Sequence, residues 1–81
     1  MERGAAIINL LAQLVRDHRK AAGLTQVNLA KLADVGKTAI FDLEHAKETI
    51  QLDTVLKILM SLNIKIEFSS SYMDHQKKRM E

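Results

Sequence analysis

The chain of 81 residues contains no cysteine, which excludes disulfides and thiolate metal sites and fits a reducing cytoplasm. Long apolar runs are missing too. The opening stretch MERGAAIINLLAQLV is broken by Asn9 and Gln13, and nothing approaches the roughly 20 apolar residues that a membrane span needs. Glu2 offsets Arg3, so the charge layout of a secretory leader is absent and the N-terminus reads as folded protein. Glycine is scarce, at three residues. With no glycine-rich phosphate loop and no nucleophile beside a base, an enzyme is not expected. His18, His45 and His75 fall on separate elements without a carboxylate or cysteine at ligand spacing, so neither a metal nor a cofactor is expected. A strong charge of one sign is also lacking: the net charge of +2 favours an anionic partner without identifying one. Finally, a chain this short buries only roughly 60% of its unfolded surface. Without disulfides or a metal, a second subunit is the expected source of further stability.

What is present is helical periodicity. From Ile7 to Ala22 the positions Ile7, Leu11, Leu14, Val15, His18 and Ala22 recur at three- and four-residue steps, with Arg16, Asp17 and Lys20 on other faces. Gly23 suits the left-handed residue after a helix end. Thr25 is placed as the N-cap of a short helix running to Ala33. Asp34, Val35 and Gly36 then form a turn, and a second short helix spans Lys37 to about His45, with Ile40 and Leu43 on its buried side. AKETIQ reads as a loop that Leu52 docks. Asp53 is the expected cap of a last helix whose inward stripe is Val55, Leu56, Leu59 and Leu62, with Asn63 as its stop. Residues 64–68, Ile-Lys-Ile-Glu-Phe, alternate with period two and read as a strand. Residues 69–81 have no apolar period and read as a tail.

Two short helices joined by a tight turn can cross closely only if a small residue sits where their backbones approach and apolar residues fix the angle. Ala30 meets the first demand, and Leu29, Ala33, Val35, Ile40 and Leu43 meet the second, leaving Lys37, Thr38, Phe41 and Asp42 outward. At this spacing Gly23-Leu24-Thr25-Gln26, Leu29-Ala30, Val35, Ile40 and Leu43-Glu44 resemble the helix-turn-helix of phage-repressor-like (XRE) regulators, over roughly Arg19 to Leu62. A short repressor domain followed by LDTVLKILMSLNIKIEF is similar, more narrowly, to the HipB-type antitoxins. Three positions depart from the pattern: Asp34 stands for the turn glycine, Gly36 for a Ser or Thr cap, and Ala46 for the glycine after the recognition helix.

The resemblance implies roles. Gln26 approaches the phosphate backbone of double-stranded DNA, assisted by the backbone N–H of Thr25, while Lys37 and Thr38 meet base edges. Lysine can donate to guanine, and threonine can bond an edge or touch a thymine methyl. Phe41 suits a thymine methyl or, equally, the domain core or a partner surface. Asp42 suits cytosine N4 or simply repels phosphates, and Lys47 suits a phosphate. Arg19 and Glu44 correspond to an ion pair inside the domain. The Lys77-Lys78-Arg79 cluster suits a phosphate or an acidic partner, or is simply solvated.

A lone strand leaves main-chain groups unpaired, and its own copy can satisfy them. Antiparallel pairing about Ile66 sets Lys65 against Glu67 and Ile64 against Phe68 of the second chain, making residues 64–68 the expected dimer interface. The expected architecture is therefore mainly α, a repressor-like domain (residues 1–68) of five helices or fewer, with one C-terminal strand pairing across a dimer. The function implied by the resemblance is a repressor of a pseudo-palindromic operator, and more narrowly an antitoxin that regulates its own operon and binds a kinase-type toxin. Two alternatives stay open: a repressor without a toxin, and a protein-interaction module that no longer binds DNA.

Overall fold

The computed structural model describes residues 2–72, with side chains from residue 5 onward. Four helices follow in order: α1 (Glu2–Ala21), α2 (Gln26–Ala33), α3 (Ala39–Glu44) and α4 (Leu52–Ser61). They enclose one core of Val15, Leu29, Ala30, Ala33, Ile40, Leu43, Val55, Ile58 and Leu59. Ala30 on α2 is fully enclosed in this core, where a larger side chain would push its neighbours apart. Leu24, Val35 and Ile50 lie in the three connections and pack on the same core, so each connection is tied down by an apolar contact of its own.

All four helices stop by one device. After α1, Leu24 N–H bonds to Arg19 O at 3.1 Å and Gly23 N–H to Lys20 O at 3.0 Å. The pairs Val35–Ala30 and Asp34–Lys31 repeat this pattern after α2, Lys47–Asp42 and Ala46–Leu43 after α3, and Ile64–Leu59 and Asn63–Met60 after α4. This is the Schellman closure, which needs one left-handed residue at each corner. Those residues are Gly23 (φ 73°), Asp34 (59°), Ala46 (59°) and Asn63 (59°). Glycine takes this conformation freely and Asp and Asn take it readily. Ala46 takes it against the clash of its own Cβ, so the departure from glycine noted in the sequence falls at a strained corner.

Several sequence expectations require correction. Helix α1 begins at Glu2 and not Ile7. Its inward side carries Ile8, Leu11, Ala12 and Val15, while Ile7, His18 and Ala22 are exposed. Helix α3 begins at Ala39, because Ala39 N–H bonds to Gly36 O at 3.0 Å and makes Lys37 and Thr38 the middle of a turn. Gln51 and not Asp53 is the N-cap of α4. Asp53 lies in the first turn, where its charge suits the helix dipole. Leu52 does not dock the loop but is 70% exposed. Ile58 replaces Leu56 in the buried stripe of α4. In the single chain residues 64–68 form no strand: a strand exists by its ladder bonds, and no other described segment of the chain offers them. Instead Ile64 packs on the core, while Lys65, Ile66, Glu67 and Phe68 are exposed. His75 and the Lys77-Lys78-Arg79 cluster lie outside the described residues.

Candidate nucleic-acid interface

Glu44, the last residue of α3, is the only buried charged residue among those described, at 4% exposure. Arg19 on α1 grips it with two parallel bonds, Nε to Oε2 and Nη2 to Oε1, the second at 3.0 Å. The same guanidinium donates from Nη1 to Leu24 O at 2.9 Å, linking the corner after α1 to the pair. Arg16 donates to the Glu44 main-chain oxygen at 3.0 Å and stands 3.7 Å from its carboxylate. Gln26 donates from Nε2 to Glu44 Oε1 at 3.1 Å. Burial pushes the Glu44 carboxyl up, but the bonds from Arg19 and Gln26 and the charges of Arg19 and Arg16 outweigh it and hold the group below its ordinary value of 4.5. Its hydrogen bond raises Arg19 in turn, against the opposing effect of burial. A desolvated carboxylate with this many donors is a rigid anchor. It fixes α3 against both α1 and α2.

Anchored in this way, α3 turns its other side to solvent. Ile40 and Leu43 are buried, whereas Lys37, Thr38 and Phe41 are exposed and Asp42 is half-buried. Thr38 stands at the N-cap position but in the αR region, and it makes no side-chain cap bond. Its hydroxyl is therefore free to bond elsewhere. Lys37 and Thr38 thus project from a turn closed by Gly36 and Ala39, directly before the helix. Asp42 and Lys47 pair at 3.7 Å between Oδ2 and Nζ, which offsets the carboxylate that would otherwise repel an anion.

The start of α2 flanks this face. Thr25 Oγ1 accepts from Asn28 N–H at 3.0 Å, so its hydroxyl is engaged as the cap. The first-turn amides of Gln26 and Val27 have no partner inside the helix, and that turn carries no acidic side chain. A helix start of this kind favours an anion. Gln26, assigned to phosphate by the sequence resemblance, is half-buried and spends one amide N–H on Glu44. Its second N–H remains available.

Three features of the site were not read from the sequence. Arg16 was placed on another face but joins the Glu44 cluster; its spacing of three residues from Arg19 was the available signal. Gln26 was given a single role and has a structural one as well. The rings of Phe41 and His45 stack with centroids 3.9 Å apart and planes at 26°; the signal here was their spacing of four on one short helix. Among the described residues no group of three His, Cys, Asp or Glu is placed to hold a metal ion, and no helix is long and apolar enough to cross a membrane.

Residues 15–69 match a family described as helix-turn-helix. The chain is also 42% identical over 57 residues to the uncharacterized HTH-type transcriptional regulator y4mF of Sinorhizobium fredii (strain NBRC 101917 / NGR234), an alignment that covers 70% of this chain and 75% of that relative.

Proposed function

The chain belongs to the helix-turn-helix family, and from that premise we propose that it is a non-catalytic, cytoplasmic transcriptional repressor that reads the major groove of double-stranded DNA as a symmetric dimer. The observation that carries this reading is the exposed turn and helix of Lys37, Thr38 and Phe41, held rigidly by the buried Glu44 cluster behind it. Lys37 and Thr38 meet base edges, and Phe41 packs on a thymine methyl. The α2 start with Thr25 and Gln26, together with Lys47, meets phosphates.

The dimer reading rests on apolar surface. Leu52, Leu56 and Met60 form a second stripe on α4 at four-residue spacing, with Met60 73% exposed. Ile66 and the 79% exposed Phe68 continue it along the chain. Pairing of residues 64–68 with a second copy, with α4 packing on its mate, covers this surface and supplies the missing ladder bonds. Two recognition helices related by a two-fold then meet inverted half-sites about 34 to 36 Å apart.

We further propose that a partner protein, a kinase-type toxin, completes the assembly, as the resemblance of residues 52–68 to HipB-type antitoxins implies. Ile7 and Leu10 on α1, 61% and 66% exposed and outside the matched residues 15–69, are apolar surface that the dimer does not use. Co-expression with the product of the adjacent gene tests this: a stable complex supports it, and a kinase-like product that does not bind counts against it.

The DNA reading is tested by titrating the chain against the palindrome upstream of its own gene across a salt series. Affinity falls steeply as salt rises if phosphates are neutralised. Lys37→Ala should relax base preference by about 1–3 kcal/mol at one position. Equal loss on specific and mixed-sequence DNA would instead make Lys37 a phosphate contact.

A further inference from the structure

His45 belongs to none of the roles assigned so far. It caps the end of α3, is exposed, and is held in two ways. Its ring stacks on Phe41, and Nδ1 lies 2.8 Å from the Phe41 carbonyl oxygen. A carbonyl oxygen can only accept, so Nδ1 must be the donor. The neutral ring therefore keeps its single proton on Nδ1, and Nε2 carries a lone pair. No described residue bonds Nε2.

We infer that His45 is a phosphate contact of the DNA-binding surface that acts as an imidazolium, so that DNA binding takes up one proton at this residue. The inference rests on the DNA reading above. Recognition helices meet bases with their N-terminal residues, here Lys37 and Thr38, and His45 follows Thr38 by seven residues, about 10 Å along a helix. At that end of the element the phosphate backbone and not the base edges lines the groove. A lone pair on Nε2 is repelled by a phosphate oxygen, whereas an N–H donates to it. The proton converts one into the other without moving the ring, because Nδ1 is already committed to Phe41.

The ring stands at the C-terminal end of α3 and against the face of Phe41, and a phosphate oxygen brought to Nε2 supplies the charge that draws the proton on. Of the neighbouring charges, Asp42 and Lys47 neutralise one another, Arg19 is held by Glu44, and Arg16 on α1 is bonded to the Glu44 main chain. Glu48 follows in the loop.

The test measures affinity of the full chain for a labelled mixed-sequence duplex of about three helical turns, at fixed low salt, between about pH 5.5 and 8, where histidine ordinarily changes charge. A phosphate contact needs no particular sequence, so this probe suffices. Affinity should rise by up to about tenfold for each pH unit that pH falls, the limit for uptake of one proton per chain. His45→Gln should flatten the profile, and His45→Lys should flatten it at the high level of the acid limb. The double variant His18→Gln, His75→Gln should keep the slope. A flat wild-type profile, or a slope that survives in His45→Gln, overturns the inference while leaving the DNA reading intact. A chain that binds neither this duplex nor its upstream palindrome at any pH overturns both.

Discussion

Glu44→Gln separates the charge of the buried cluster from its shape. The substitution keeps the volume and one acceptor oxygen, but it leaves Arg19, with a side chain only 11% exposed, without its counter-charge and sets an amide N–H against a guanidinium. Breaking a buried ion pair from one side costs about 3–5 kcal/mol, whereas an exposed pair is worth about 1 kcal/mol or less. At about 0.05–0.15 kcal/mol per residue, the whole 81-residue chain has about 4–12 kcal/mol to lose. The expected loss is therefore a large fraction of the total. With a urea dependence of about 1 kcal/mol per molar for so small a chain, the midpoint drops by about 3–5 M. Protein concentration must be held fixed, because a dimer is stabilised by mass action. The pair Arg19→Met, Glu44→Met should recover most of the loss, since two apolar side chains leave no stranded charge. A midpoint change below about 0.5 M for Glu44→Gln would refute the reasoning and place the pair among the screened surface bridges.

Four further outcomes follow from particular residues. The carboxyl of Glu44 is held below its ordinary 4.5, so the folded chain binds fewer protons than the unfolded one; stability is full above that value and falls as pH drops toward the lower folded value, a limb that Glu44→Gln should flatten in acid titrations followed by circular dichroism. Ala46→Gly relieves the left-handed strain at φ 59° and should raise stability by about 1 kcal/mol in urea melts, less the methyl burial it forfeits. Thr25→Ala removes the bond to Asn28 N–H and should cost about 1 kcal/mol. Ile66→Ser with Phe68→Ser leaves the buried core of the single chain untouched, and should shift sedimentation from dimer to monomer; an unchanged dimer would move the interface elsewhere.

The fold was legible where a residue has one physical solution. Gly23 and Asn63 end helices because few other residues accept their backbone angles, and Ala30 is small because it is enclosed in the core. Arg19 and Glu44 were legible through the family pattern, but Arg16 and Gln26 were not, since nothing in the sequence indicates how many donors one carboxylate gathers. The α4 stripe was misread for a definite reason. Val55, Leu56, Ile58, Leu59, Met60 and Leu62 cover more than half its circumference, and periodicity alone cannot say which part faces the chain's own core. The alternation in residues 64–68 is real, but a strand requires a neighbour, and pattern cannot supply one. The start of α3 was displaced because Lys37 and Thr38 are compatible with a helix. The bond from Ala39 to Gly36, invisible to propensity, makes them a turn.

The Schellman corners at Asp34 and Ala46 lie on either side of the segment that carries Lys37, Thr38 and Phe41, and each is closed by main-chain bonds within six consecutive residues. The stretch from 30 to 47 consequently contains both closures. Moved into a related domain with the same core, that stretch should keep its corner bonds and carry its outward side chains to a new host. That host must offer an arginine and a glutamine to receive the glutamate at the base of the stretch. On the proposed DNA reading, exchange of this one segment should change DNA preference, a consequence of how the chain turns its corners.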